Sequence, residues 1–243
     1  MIALLKKEIA GFFTSITAYL VIIVFLMINS LFIWIFPNQL NIIDSGYASL
    51  DPLFSISPWV FLFLVPAITM KFIAEEKRIG TLEFLLTKPI SEYQIILAKY
   101  FSAVLLVLLS ILPTLIYFYS IFVLGSPKGN IDIGGTIGSY IGLFFLASVY
   151  VSIGIFASSL TDNQIVAFIF GILMCLLSYI AFEYLSQMFG TGEFAIFIAH
   201  LGIREHYESI GRGVIDSRDI LFFLSEITVF LILTKISVQN RKM

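Results

Sequence analysis

Few side chains in this sequence can be assembled into a reaction site. His200 and His206, the two histidines of the chain, stand six apart with Glu205 and Glu208 beside them, all residue types that ligate metals. Their spacing fits neither an HExxH helix nor a zinc ribbon, so they read as interfacial polar residues and no metal site is expected. The sequence contains no Gly-Lys-Ser or Gly-Lys-Thr, hence no loop to cradle nucleotide phosphates and no ATPase activity of its own. No Ser–His pair or paired aspartates face each other within the apolar segments, which removes an intramembrane hydrolase. Two acids lie in or near apolar runs, of which Glu183 is nearer a boundary and reads as solvated. Glu226 is seven residues past Asp219, roughly 10 Å into a helix at 1.5 Å per residue, where an ionised carboxylate is costly unless paired or hydrated. It is either a functional group or a protonated, hydrogen-bonded packing residue. Asn29 and Ser30, with Gly138, Gly142, Ser148, Ser152 and Gly154, permit close helix approach and interhelical hydrogen bonds, and read as subunit packing. Arg212, Gly213 and Asp216 form a polar hinge before the last apolar run.

The elements that must hold these residues are membrane elements. The 243 residues are 59% hydrophobic and 12% charged, with a mean hydropathy of +1.02, whereas soluble domains carry about 25% charged residues. An all-α integral membrane protein follows, a single membrane domain over residues 1–243, since no polar stretch is long enough to fold alone. A net charge of −2 offers no basic field for nucleic acid. The lone Cys175 lies in an apolar run and reads as a buried hydrophobe. Six runs reach the length of a transmembrane helix, about 17–25 residues: 16–36, 59–73, 95–124, 137–160, 165–182 and 220–236. The second is the shortest, with Ser57-Pro58 as its start and Pro66 as a bend; the third is long and should kink at Pro113. Ahead of them, Ile2, Leu5, Ile9 and Phe12 recur at three and four residues, as in an amphipathic helix lying on a membrane surface. Between the fifth and sixth runs, residues 194–199 are apolar but too short to span, and suit a re-entrant or interfacial helix. With the N-terminus inside, inner segments hold ten of the fourteen Lys and Arg residues, so both termini are expected in the cytoplasm.

Between the second and third runs, residues 71–99 carry nearly a third of all the charges. Gly80-Thr81 breaks this polar island. Thr81 is placed to cap a short helix whose Leu82, Leu85 and Leu86 share a face, with Glu83 in its first turn and Lys88 in its last. Pro89 ends that helix, and Ser91 with Gln94 starts the next.

The run EEKRIGTLEFLLTKPI, residues 75–90, resembles the signature of permease subunits of type-2, export-class ABC transporters. The resemblance implies a coupling helix that docks on a separate ATPase subunit. Leu82, Leu85 and Leu86 would enter a groove on that ATPase, Glu75, Glu76 and Arg78 would set the docking orientation, and Gly80, Thr81, Glu83 and Pro89 would shape the turn. It also implies a surface helix, six spans and a re-entrant segment before the sixth, matching the runs above. The sequence EHYESIGRGVIDSRD, residues 205–219, is similar to that of permeases linked to bacterial gliding motility. The implied partners are an ABC ATPase, a second membrane subunit or a second permease copy, and the lipid bilayer, in the bacterial inner membrane. ATP and Mg would enter through the ATPase, with no cofactor on this chain. Two other functions fit the same composition: an ion-coupled secondary carrier using Glu226, and a non-transporting membrane scaffold of a motility or secretion complex.

Overall fold

A computed structural model describes residues 1–86, 91–190 and 192–239, with residues 84–86 described by their backbone alone. Every regular element among the described residues is helical. In chain order they are α1 (Ile2–Thr14), α2 (Ile16–Ser30, ending in a π-helical turn), α3 (Ile42–Ser45), α4 (Asp51–Thr69), α5 (Ala74–Ile79), α6 (Thr81–Leu86), α7 (Glu92–Ile111), α8 (Leu115–Leu124), α9 (Ile133–Leu160), α10 (Gln164–Leu176, with a second π-helical turn), α11 (Phe182–Met188), α12 (Glu193–Ala199), α13 (Ile203–Gly211) and α14 (Ser217–Gln239). Among the described residues six stretches are long and apolar enough to cross a membrane: Ile16–Ile35, Asp51–Ile79, Glu92–Leu124, Ile133–Leu160, Gln164–Met188 and Ser217–Gln239. In their most apolar windows, spans two, three and four are 72%, 61% and 78% buried, against 28%, 22% and 22% for spans one, five and six. The former therefore form the core, while the latter present most of their surface outward, where only lipid or another membrane subunit can cover it.

The second span is longer than its hydropathy indicated. It begins at Asp51-Pro52, not near Trp59, because Pro52 sits in the first helical turn, where a missing N–H costs nothing. Pro58 is consequently inside the helix, and its absent N–H orphans the carbonyl of Phe54. The hydroxyl of Tyr207, from α13, donates to that oxygen at 2.7 Å. Pro113 interrupts the third span as expected, with a 3-10 turn at Leu112–Thr114.

The small residues of α9 serve this chain's own packing rather than a subunit interface, which corrects the expectation. A Cβ at Gly154 would strike the hydroxyl of Thr69 on α4, one at Gly138 the carbonyl of Ile210 on α13, and one at Gly142 would press on the Tyr207 ring at 3.3 Å. Asn29 is likewise internal. It is fully buried, donates to Phe25 O at 2.9 Å and accepts from Ser57 Oγ of α4 at 3.2 Å. Its amide joins spans one and two within one chain.

Between spans five and six, the apolar stretch 194–199 falls in the short helix α12. The apolar segment α12 leaves Phe194, Ile196 and Phe197 exposed, whereas the more polar α13 is wedged against the bundle. Ile203, Tyr207 and Ile210 recur at i, i+4 and i+7 and are buried over the glycine stripe of α9. At the other end of the chain, α1 packs Leu4 and Leu5 on Ile95 and Ala98 of α7, while Ile2, expected on its apolar face, is exposed.

Candidate functional site

At the end of the bundle that carries most of the Lys and Arg residues, the polar island folds as two short helices hung beneath span two. The charged segment is itself helical: α5 places Glu75 and Glu76 in its first turn and Lys77 and Arg78 in its last, as a helix dipole favours. Gly80 closes it with φ of +78°, a left-handed conformation that a residue bearing a Cβ adopts only with strain. The Thr81 hydroxyl donates back to Glu76 O at 3.3 Å, so it serves the preceding helix as well as opening α6. Ser91 starts α7 as its spacing indicated, accepting from the Gln94 N–H at 3.4 Å.

The break between α4 and α5 is held from another span. Ser158 Oγ, on α9, accepts from Ile73 N at 3.1 Å and Ala74 N at 3.0 Å and donates to Met70 O at 2.9 Å. One buried hydroxyl thus satisfies two orphaned donors that begin α5 and one carbonyl that ends α4. The next residue adds two more ties. The Lys77 ammonium donates to Ser159 O, and so does Ser237 Oγ of α14, at 3.0 Å.

A second anchor is ionic. Lys99, in the first turns of α7, has its ammonium 2.7 Å from Glu76 Oε1 and 3.4 Å from Glu8 Oε1 of α1. Its side chain is 2% exposed, and the ammonium also stands 5.6 Å from the centre of the Phe72 ring. Three elements therefore share one buried cation.

These ties redistribute the roles expected from sequence. Leu82 is buried in the chain's own core, so it anchors α6 instead of offering itself to a partner. Glu76 is engaged with Lys99, so it positions α5 rather than facing outward. The exposed surface consists of Arg78, Ile79, Gly80, Thr81 and Glu83, with Ile79 61% exposed at the tip; Ile79 was absent from the expected set. The side chains of Leu85 and Leu86, and Pro89 altogether, lie outside the described residues.

Residues 36–201, more than half of the chain, match the family described as ABC-2 family transporter protein. The chain belongs to that family. It is an ABC-2 permease, a multi-pass membrane component whose family membership implies an ABC ATPase partner and a lipid bilayer around it. No curated protein matches it.

The other candidate residues of the permease stand apart from this site. At the opposite end, His206 Nδ1 lies 2.7 Å from Asp219 Oδ1 and its Nε2 lies 2.9 Å from His200 O, with the ring stacked on Phe222. A carbonyl only accepts, so Nε2 carries a proton, and the pair fastens α13 to the top of span six. No group of three or more His, Cys, Asp or Glu suited to a metal occurs among the described residues. Arg204 bridges Glu183 of α11 and Glu208. Burial lowers the Arg204 pKa, but these carboxylates more than offset that and keep its charge. Burial pushes the Tyr207 hydroxyl well above its ordinary value, so it remains a neutral donor to Phe54 O. Arg212, Gly213 and Asp216 lie in the link to α14, where Gly213 has φ of +87° and Asp216 accepts from Arg218 N at 2.9 Å. Glu226 is half-buried on α14 and has no hydrogen-bond or ionic partner among the described residues.

Proposed function

We propose that this permease takes ATP-driven movement from a separate ABC ATPase at the exposed tip of α5 and α6 and passes it to its spans to drive export. The observation that carries the reading is the set of ties on α5: Ser158 joins it to span four, Lys99 to span three and α1, and Lys77 to the carbonyl that Ser237 of span six also binds. A push on a segment held so firmly moves several spans together. ATP and Mg would be held by the ATPase. The outward surfaces of spans one, five and six favour a second permease copy or another membrane subunit beside it. The Lys and Arg distribution favours a bacterial inner membrane orientation with both termini and α5–α6 in the cytoplasm. The sequence of residues 205–219 favours a transporter that energises gliding motility.

Placing a charge at the tip tests the reading. Ile79→Asp should insert normally yet fail to co-purify with the ATPase and lose ATP-dependent transport; unchanged stoichiometry would place the docking face elsewhere. In a Cys175→Ser background, a cysteine at position 128 should react with an impermeant reagent on intact cells and one at position 79 should not. Reaction at 79 would invert the topology.

A further inference from the structure

Beside α5 the chain forms a cleft of about 570 Å³, walled by α1, the start of α2, the end of α4 and the head of α7. Its size lies within the range of about 300–1,000 Å³ typical of small-molecule sites. One wall is apolar, built from Phe12, Ile68 and Phe72. The rest is charged in an uneven way. Lys99 is neutralised by Glu8 and Glu76, but Lys7, Lys71 and Glu75 also line the cleft and have no ionic partner among the described residues. Glu76 adds an oxygen, Oε2, that is buried without a hydrogen-bond partner. The cleft thus offers two free ammonium groups on α1 and at the end of α4, together with carboxylate acceptors on α5 that need a donor.

We propose that this cleft binds the headgroup of a zwitterionic phospholipid whose amine is primary, with the phosphate between Lys7 and Lys71 and the ammonium on Glu75 and Glu76 Oε2. Phosphate takes charge-assisted hydrogen bonds from lysines, and a primary ammonium supplies the N–H donors that a buried carboxylate oxygen requires. A quaternary choline has no N–H and leaves Oε2 unsatisfied. A phosphate diester without an amine, such as phosphatidylglycerol, leaves Glu75 without a cation and Glu76 Oε2 without a donor. The occupant is a lipid rather than a free phosphate ester because the cleft has an apolar wall of Phe12, Ile68 and Phe72, of which Ile68 and Phe72 belong to the second membrane-length stretch, giving the glycerol and first methylenes a surface to lie against. The bound lipid would fill the gap between α1 and α5, stiffening the segment on which coupling depends.

The test is lipid retention by the purified full-length permease with its ATPase, without nucleotide, after exchange into nanodiscs containing equal dioleoyl phosphatidylethanolamine, phosphatidylcholine and phosphatidylglycerol. Native mass spectrometry should show phosphatidylethanolamine retained on the order of tenfold over phosphatidylcholine, the worth of one charge-assisted hydrogen bond. Lys71→Gln and Glu75→Gln should each remove most of that preference. Lys6→Gln, whose residue does not line the cleft, should preserve it. Equal retention of the three lipids by the unaltered protein overturns the proposal without need of any variant, as does a Lys6→Gln loss equal to that of Lys71→Gln. Displacement of the lipid by free O-phosphoethanolamine at matching concentration would overturn the lipid assignment in favour of a soluble phosphate ester. Retention is read without ATP, so its failure and a failure of ATPase coupling are separate results.

Discussion

The buried ammonium of Lys99 permits a quantitative test of how α5 is held. Lys99 is 2% exposed and Glu76 16% exposed as side chains, at 2.7 Å, while Glu8 stands farther off at 3.4 Å. A solvent-exposed pair is worth about 0–1 kcal/mol. Removing one partner of a buried pair costs about 3–5 kcal/mol, mostly from the uncompensated charge left behind. Glu76 borders the cleft and keeps some access to water, which puts the expectation at the lower bound. Lys99→Met retains the stem against Phe72 but strands Glu76, and should cost about 3 kcal/mol. Glu76→Gln retains an acceptor for the ammonium and leaves Glu8 as a counter-charge, so it should cost about 1–2 kcal/mol. The double variant leaves only Glu8, the more distant partner, without its counter-charge and should be more stable than the sum of the single losses by about 2 kcal/mol. Reversible SDS unfolding of the purified permease measures all three corners of the cycle. Additivity within about 0.5 kcal/mol would mean that the two residues are not coupled, and the ionic anchor of α5 would be refuted.

Ser158→Ala leaves two buried donors and one carbonyl unpaired at the break between α4 and α5, so it should cost at least about 1 kcal/mol in SDS unfolding and lower transport per ATP while ATPase co-purification is unchanged. Tyr207→Phe strands the Phe54 carbonyl that Pro58 cannot serve; a loss of about 1–3 kcal/mol is expected, and an unchanged unfolding midpoint would show that the hydroxyl is not its partner. Gly154→Ala drives a methyl into the Thr69 hydroxyl and should cost about 1–3 kcal/mol, recovered when combined with Thr69→Ala. Glu226→Gln should insert normally and impair function, whereas Glu226→Leu should also weaken assembly; full activity of both in the complex would make Glu226 a packing residue.

Much of the architecture was legible because membrane insertion is governed by local composition. The six apolar runs each fall on one membrane-length helical stretch, although the second begins at Asp51 and not near Trp59 as its hydropathy indicates, and the third is interrupted at Pro113 as expected. What hydropathy could not show is which neighbour each face meets. Leu82 falls on a plausible docking face by helical spacing, yet the fold turns it into the core. The hydrophilic net composition of α13 hides the apolar edge that Ile203, Tyr207 and Ile210 make on it. Two further signals stand in the sequence. Lys99 is the only charged residue in the apolar run 95–124, which calls for a counter-charge from elsewhere in the chain. Pro58, once inside a helix, requires a donor for Phe54 O, and a tyrosine hydroxyl is suited to supply one.

The two wedges on span four explain why movement at α5 would not be lost in the joint beneath span two. A helix broken over residues 70–73 would ordinarily act as a soft hinge, absorbing a push by local fraying. Here the fraying groups are those that Ser158 binds, so bending the joint means breaking buried hydrogen bonds with no water to replace them. Gly154 lets α9 sit directly on Thr69 one turn above that joint, and at the far end Tyr207 and Ile210 lock α13 against both α4 and α9. Spans two and four are thus fastened near both ends. The surfaces left facing outward are those of spans one, five and six, whose apolar windows bury only 28%, 22% and 22% of their residues. On the proposed coupling, the work of an attached ATPase would appear as displacement of the paired core spans together with α5, because the joint between them resists bending.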